Sequence, residues 1–152
     1  DRVLVVPTFR HPFAKDLAPF EARARMLNAS LGLLPRVEIS RIEEELGGES
    51  KTLHTLQALH AKFPSWSLRL VMGGDLLAEK SKWYRFDEIE KLAPPLVIGR
   101  EGFSGDGKSH LLPEISSTDV RAKIAARAWN DVLRVVPSKV VDLIREEGLY
   151  SK

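Results

Sequence analysis

The sequence predicts an α/β fold in which a doubly wound parallel sheet has helices on both of its faces. Two features of the chain lead to this prediction. Short runs of Val, Leu and Ile alternate with longer segments in which the apolar residues keep helical spacing. The short runs are continuously apolar, as in strands that are buried on both faces. Repeated alternation of strand and helix is typical of parallel sheets joined by right-handed crossovers.

The composition is that of one folded domain, with 152 residues of which 43% are hydrophobic and 29% charged. The net charge of +2 favours an anionic small molecule as partner over nucleic acid, which would call for a clustered basic surface. The absence of cysteine excludes disulfides and thiolate zinc sites. Because no apolar run is long enough for a membrane span and no signal-peptide pattern is present, we expect a cytoplasmic protein without membrane contacts. Whether it forms a homo-oligomer is left open.

The first predicted strand comprises residues 3–6 and ends at Pro7. A buried strand normally has a neighbour on each side, so we expect a segment before Asp1. A helix is predicted from Leu17 to Leu31, with Gly32 at its end. The later predictions are a strand over 36–40, a loop over 43–49, a helix capped by Ser50 and ended by Pro64, a strand over 67–72, a helix over 86–92, a strand over 96–98, a loop over 101–109, a strand over 110–114, a helix from 116 to about 128, and a helix over 138–147.

Three hydroxyl residues, Ser116, Ser117 and Thr118, follow Ile115 at the predicted start of a helix that carries Arg121. Ser116 or Ser117 is placed to cap this helix, whose first backbone N–H groups lack partners within it. Those N–H groups and the positive end of the helix dipole favour a phosphate. Since helical side chains lean toward the N-terminus, Arg121 reaches the same place with a planar guanidinium. The pattern fits both a simple cap and an anion site.

Three other stretches also follow predicted strands: Thr8 to Lys15, which includes His11, then Gly73 to Asp75, and Gly99 with Arg100. The carboxyl ends of parallel strands form one edge of a sheet, which is where open α/β sheets bind their ligands. We therefore expect these residues to share a binding edge with the start of the Ser116 helix.

Each of these residues has two interpretations. Asp75 either accepts hydrogen bonds from ribose hydroxyls or lies near Mg²⁺, and Arg100 either pairs with a phosphate or is a loop charge. Trp83 either packs in the ordinary way or offers a flat platform to an aromatic ring. His11 is either a loop residue or a phosphate contact.

Residues 102–109 match the phosphate-loop pattern G-x-x-x-x-G-K-[ST], but Pro113 leaves no room for the helix that such a loop requires. We therefore interpret this stretch as a surface loop. No two of the four histidines have the helical i, i+4 spacing of a metal pair, and no metal ligands are predicted.

Several short motifs follow one another along the chain. In order they are Val5-Val6-Pro7 with His11-Pro12 and Lys15, Phe20-Glu21 with Arg23 and Met26, Ser50-Lys51-Thr52 with Thr55-Leu56, Gly73-Gly74-Asp75, Trp83-Tyr84, Arg100-Glu101-Gly102, Ile115 to Arg121, and Gly148-Leu149-Tyr150. In this order, and over nearly its whole length, the chain resembles the bacterial nicotinate mononucleotide adenylyltransferases. Ser-Ser-Thr-x-x-Arg also occurs in pantetheine-phosphate adenylyltransferases, whereas the Ser-x-Thr segment and the Trp-Tyr pair narrow the resemblance to the nicotinate branch. Lys51 stands where the family usually has tyrosine.

The resemblance implies a single Rossmann-like nucleotidyltransferase domain over residues 1–152. It implies adenylyl transfer from ATP to nicotinate mononucleotide in NAD biosynthesis, with Mg²⁺ and without a covalent intermediate. It assigns to ATP the residues Gly73, Asp75, Ile115, Ser116, Ser117, Thr118 and Arg121. It assigns Thr52, Trp83, Tyr84 and Arg100 to the binding of the pyridine nucleotide, with Trp83 stacked on the nicotinate ring. Arg121, His11 and Lys15 are the candidate catalytic residues, since this chemistry depends on positioning and charge neutralisation.

Two alternatives stay open. One is adenylyl transfer to nicotinamide mononucleotide or phosphopantetheine, and the other is a nucleotide-binding fragment without turnover. The family's first strand and its Gly-x-Phe-x-Pro-x-His-x-Gly-His loop are absent from the sequence. We expect the chain alone to be catalytically poor, because that loop supplies two histidines for the ATP phosphates.

Overall fold

The computed structural model describes residues 1–11, 17–99 and 115–151. Lys15, Arg100, the predicted loop over 101–109 and the predicted strand over 110–114 lie outside these ranges. The chain divides into two compact units, a first unit of Asp1–Gly47 with Ile115–Lys152 and a second unit of Gly48–Glu114. Each unit contains a pair of parallel strands and a hydrophobic core of its own. The predicted α/β class with parallel strands is confirmed.

For most of the chain, each segment is a helix or a strand as the sequence predicted. In order, the elements are β1 (Val3–Val5), α1 (Phe20–Leu31), β2 (Val37–Ile39), α2 (Ile42–Leu46), α3 (Thr52–Lys62), β3 (Leu70–Gly73), α4 (Gly74–Ala78), a 3-10 turn (Lys80–Lys82), α5 (Phe86–Leu92), β4 (Pro95–Ile98), α6 (Ser117–Ala125), α7 (Trp129–Val132) and α8 (Ser138–Glu146). No helix in the described part of the chain is long and apolar enough to cross a membrane.

In the first unit, β1 and β2 pair in parallel, with Val3 opposite Val37 and Val5 opposite Ile39. Helix α1 packs against β2 and α8. It begins at Phe20 and not at the predicted Leu17, because Pro19 occupies the N-cap and proline keeps the residue before it out of the helical region.

Helix α2 corrects the predicted loop over 43–49. Ile42 is buried, and three glutamates in the first turn, residues 43–45, interact favourably with the helix dipole. Arg41 donates from Nε and Nη2 to the Glu44 carboxylate at 2.6 and 2.9 Å. One turn offers too few apolar positions for a periodic pattern, so the sequence did not reveal this helix.

The core of the first unit joins the three C-terminal helices, α6, α7 and α8. Its buried residues are Ile124, Val132, Val140, Val141 and Ile144. Helix α6 ends at Ala125 and not near residue 128, and a left-handed residue, Arg127 with φ 56°, leads into the unpredicted helix α7.

In the second unit, β3 and β4 pair in parallel, with Met72 opposite Val97. The buried side chains of α3, β3 and α5 form the core, namely Leu53, Leu56, Met72, Phe86, Ile89 and Ala93. The predicted cap of α3 was wrong by one residue. Lys51 occupies the N-cap, its side chain accepts no capping bond, and the helix begins at Thr52. Strand β3 begins at Leu70, later than predicted, and just before the ladder the Arg69 side chain donates to the Pro94 carbonyl at 2.8 Å.

Candidate functional site

The N-terminus of α6 has a side-chain cap. Ser116 has an extended backbone (φ −107°, ψ 140°), and its Oγ accepts a hydrogen bond from the Asp119 N–H at 3.0 Å. Its carbonyl oxygen accepts from the Val120 N–H at 3.1 Å. These bonds confirm the predicted cap. The cap satisfies the Asp119 N–H, and the N–H groups of Ser117 and Thr118 point out of the helix end.

Arg121 lies one turn into α6, and its side chain returns to the same helix end. Its Nη2 donates to Ser117 Oγ at 3.4 Å, and both side chains are exposed. The nearby Asp119 is paired with Lys123 at 2.7 Å. Among the described residues, no carboxylate pairs with Arg121. Backbone N–H groups, hydroxyls and a guanidinium therefore meet at one exposed, electropositive place.

The turn that follows β1 is held in place by Phe9. The Phe9 and Phe20 rings meet edge to face with their centroids 5.3 Å apart, and the Phe9 N–H donates to Glu43 Oε2 at 3.0 Å. The Arg10 guanidinium lies 5.7 Å from the Phe9 ring centre, and the half-buried His11 comes next. Helix α2, through Glu43, thus fixes the direction in which the chain leaves β1.

Two arginines lie over the Phe20 ring, Arg23 at 5.5 Å and Arg41 at 5.2 Å from its centre. Burial lowers the pKa of the Arg23 guanidinium. Hydrogen bonds to Glu44 and then Glu21 raise the pKa of Arg41. Arg41 therefore ties α1 to α2 as a structural cation, and we assign it no ligand.

An open pocket of about 370 Å³ lies in the first unit between α1 and the segment before α8. Its lining is mainly aliphatic and consists of Pro7, Arg23, Met26, Leu27, Ser30, Val135, Val136, Pro137 and Val140. None of the predicted site residues lines this pocket. Because phosphates need several polar or cationic partners, the pocket does not resemble a nucleotide site.

In the second unit, β3 runs directly into α4. Gly73 ends the strand with φ −74° and ψ 153°, Gly74 begins the helix, and the half-buried Asp75 lies in its first turn. The predicted glycine break is therefore a junction between a strand and a short helix.

The Trp83-Tyr84 pair precedes α5, and its two rings have different surroundings. Trp83 packs against the core of the second unit and meets Phe86 edge to face at 5.9 Å, whereas Tyr84 is 49% exposed. Arg85 adopts a left-handed backbone conformation (φ 52°), uncommon outside glycine, and it ion-pairs with Glu88. Arg85 occupies the N-cap of α5, so this turn leads from the Trp83-Tyr84 pair into the helix.

The start of α3 contacts Tyr84. The Lys51 Nζ lies 5.0 Å from the Tyr84 ring centre, and the His54 ring meets that ring edge to face at 5.7 Å. Thr52, the first residue of α3, is half-buried beside Lys51. The two residues that contact Tyr84, Lys51 and His54, therefore flank the predicted acceptor residue Thr52 in the sequence of α3.

The predicted ATP residues are divided between the two units. Residues 115–118 and Arg121 belong to the first unit, as does His11, whereas Gly73 and Asp75 belong to the second. All the described pyridine-nucleotide residues, Thr52, Trp83 and Tyr84, belong to the second unit.

No family model matches the chain. A probable nicotinate-nucleotide adenylyltransferase from Anaeromyxobacter sp. (strain K) is 44% identical to it over 151 residues, which are 97% of this chain and 80% of the relative. The chain belongs to the nicotinate-nucleotide adenylyltransferase family. A protein of the same name from Myxococcus xanthus (strain DK1622) is 34% identical over 153 residues, 99% of this chain and 79% of the relative. The resemblance drawn from the motif order is confirmed.

A solved structure with the same overall fold is Plasmodium falciparum nicotinic acid mononucleotide adenylyltransferase complexed with NaAD. It superposes with a TM-score of 0.79 and is 19% identical, covering 98% of this chain and 82% of its own. At this identity the likeness establishes the α/β nucleotidyltransferase fold.

A resident metal centre is not found in this adenylyltransferase within residues 1–11, 17–99 and 115–151. No three His, Asp or Glu side chains of those ranges come together as a metal-binding group. A cluster of such ligands would be required for a metal held by protein alone.

The sequence did not predict the contacts of His54 and Lys51. His54 was interpreted as a residue on a helix surface, and Lys51 as a departure from the family pattern. Their spacing of three residues places both on one face of a helix start, which was the available signal. Their common partner, Tyr84, is 30 or more residues away, beyond the reach of local patterns.

Proposed function

We propose that this protein transfers the adenylyl group of ATP to nicotinate mononucleotide, giving nicotinate adenine dinucleotide and pyrophosphate. The observation that carries the proposal is the 44% identity, over 97% of the chain, to a probable nicotinate-nucleotide adenylyltransferase. The activity named for that relative supports the same conclusion. So does the fold that this chain shares with the adenylyltransferase solved in complex with NaAD.

The α6 N-terminus is the proposed place for the ATP phosphates. Ser116 caps the helix, and the Ser117 and Thr118 N–H groups point beyond it. Among the described residues, the Arg121 guanidinium donates a hydrogen bond to Ser117 only. Preorganised donors of this kind stabilise the negative charge that develops on a transferring phosphoryl group. Gly73 and Asp75, at the β3–α4 junction of the second unit, are also proposed to bind ATP.

His11 and Lys15 are the proposed catalytic partners of Arg121. The Phe9 contacts hold the turn on which His11 lies. The His11 imidazole and the Lys15 ammonium would neutralise phosphate charge, as the resemblance implies.

Thr52, Trp83, Tyr84 and Arg100 are proposed to bind the pyridine nucleotide. The exposed Tyr84 ring and the half-buried Trp83 ring supply aromatic surface, which suits a flat pyridine ring, and Tyr84 contacts the start of the helix that carries Thr52. Trp83 is proposed to stack on the nicotinate ring.

The reaction is a single displacement at phosphorus. A phosphate oxygen of nicotinate mononucleotide attacks the α-phosphorus of ATP, the new P–O–P bond forms, and the bond to the β-phosphate breaks as pyrophosphate leaves. ATP would be used as its complex with a divalent cation, proposed to be Mg²⁺, which would supply neutralisation of phosphate charge. The protein's residues orient the two substrates and require no covalent intermediate.

The test is pyrophosphate release by the protein expressed from its complete gene. ATP is supplied with nicotinate mononucleotide, nicotinamide mononucleotide or phosphopantetheine in separate reactions. We expect turnover with nicotinate mononucleotide at the highest kcat/KM. Inertness toward that acceptor, with or without activity on the others, would overturn the proposal.

A further inference from the structure

The positive charge of Lys51 is held beside the exposed aromatic ring of the second unit. Its Nζ lies 5.0 Å from the Tyr84 ring centre, within the range of a cation–π contact. The His54 ring packs on Tyr84 at an interplanar angle of 73°, and so fixes the ring from a second side. The ammonium group is therefore placed relative to Tyr84 and does not sample the solvent freely.

The ammonium is only weakly neutralised by protein groups. Among the described residues its ion-pair partner is Glu49, whose Oε2 lies 3.8 Å away, near the limit of such a contact, and the Glu49 side chain is 63% exposed. Solvent screens a pair of this kind strongly, so it contributes little. The Lys51 side chain is 35% exposed, which leaves the charge accessible to a ligand while its stem stays packed.

The two pyridine mononucleotides that compete as acceptors differ by one group. The nicotinate ring carries a carboxylate, and the nicotinamide ring carries a neutral carboxamide of nearly the same size. Shape alone therefore discriminates poorly between them, whereas a fixed cation favours the carboxylate by a charge-assisted hydrogen bond.

We propose that Lys51 is a specificity-determining residue whose ammonium group donates to the pyridine carboxylate when the acceptor lies against Tyr84. This inference rests on the proposed function and adds to it the residue that selects the acceptor. The phosphate and ribose, which both acceptors share, contribute nothing to this selection.

The test compares kcat/KM for nicotinate and nicotinamide mononucleotide in the protein from the complete gene and in Lys51→Met. We expect about a 10-fold fall for the nicotinate acceptor, mainly through KM, and a change of less than about twofold for the nicotinamide acceptor. Lys51→Arg keeps the charge and should keep most of the preference. Lys91→Met, which removes an exposed lysine of the same unit, is the matched control and should change neither value.

Three results overturn the inference in different ways. An equal loss with both acceptors would assign Lys51 to a shared group such as the phosphate, or to folding. If Lys51→Met and the second neutral variant, Lys51→Gln, both keep the preference for the nicotinate acceptor, Lys51 does not recognise the pyridine carboxylate. If the wild-type protein is inert toward nicotinate mononucleotide, the proposed function itself is wrong. The wild-type assay shows this without any variant, so this failure is distinguishable from a failure of the Lys51 inference.

Discussion

Replacing Arg121 by alanine separates helix capping from anion binding at the start of α6. In the folded protein, the Arg121 side chain is exposed and makes one long hydrogen bond, 3.4 Å to Ser117 Oγ. Alanine is the best helix former, so we expect Arg121→Ala to change the free energy of unfolding by less than about 0.5 kcal/mol. If the guanidinium binds a phosphate of ATP, its loss removes a charge-assisted interaction of about 1.5–3 kcal/mol. That corresponds to a fall of roughly 10- to 150-fold in kcat/KM for ATP.

The opposite pattern is expected for Ser116→Ala. Loss of the 3.0 Å bond to the Asp119 N–H should lower the free energy of unfolding by about 1 kcal/mol. Urea unfolding and steady-state kinetics with varied ATP measure the two effects in the same protein preparations. Arg134→Ala, which removes an arginine whose side chain is 79% exposed, is the matched control. If Arg121→Ala leaves the dependence of rate on ATP unchanged, the stretch is a cap and the proposed phosphate site is wrong.

Two further predictions concern stability. Ile89→Ala should lower the free energy of unfolding by about 2–5 kcal/mol in urea titrations, because Ile89 is 1% exposed in the core beneath Trp83 and a cavity would remain. The Arg41 hydrogen bond lowers the pKa of Glu44 in the folded protein, so Glu44 adds stability above its unfolded pKa and loses it as the pH falls through the folded one. Unfolding measured from pH 7 down to pH 3 should therefore show a wild-type advantage over Glu44→Gln that shrinks toward low pH.

Each of these predictions has a control in the same unit. Val71→Ala removes a side chain that is 52% exposed, and it should cost far less than Ile89→Ala. Equal costs would contradict the cavity argument. Glu45→Gln removes an exposed carboxylate of the same helix as Glu44. A wild-type advantage over Glu44→Gln that stays constant with pH would show that the Arg41 bond does not set the stability.

The elements that the sequence predicted well are those whose signals are local. Helix α5 has the predicted bounds, because an apolar stripe and acidic residues in the first turn mark its start. The Ser116 cap is likewise a pattern of four residues, and it was confirmed. Family membership followed from the order of motifs, which needs no knowledge of contacts.

The features that the sequence missed depend on contacts between distant residues. Helix α2 is held by Arg41, which pairs with Glu44 next to it and also with Glu21 on α1. The cation at Tyr84 comes from Lys51, 33 residues earlier in the chain. The roles proposed for the site residues also stay predictions, because binding partners are properties of an assembled site and not of a motif.

The α6 helix is capped by a serine, and this choice of residue determines the charge at the N-terminus of the helix. Aspartate and asparagine cap helices about as well as serine, so stability alone would not distinguish them at position 116. A carboxylate there would place a negative charge directly in front of the Ser117 and Thr118 amides and would repel a phosphate. The serine hydroxyl accepts the Asp119 N–H and still has a proton to donate outward. One uncharged oxygen thus closes the helix and leaves its end attractive to anions.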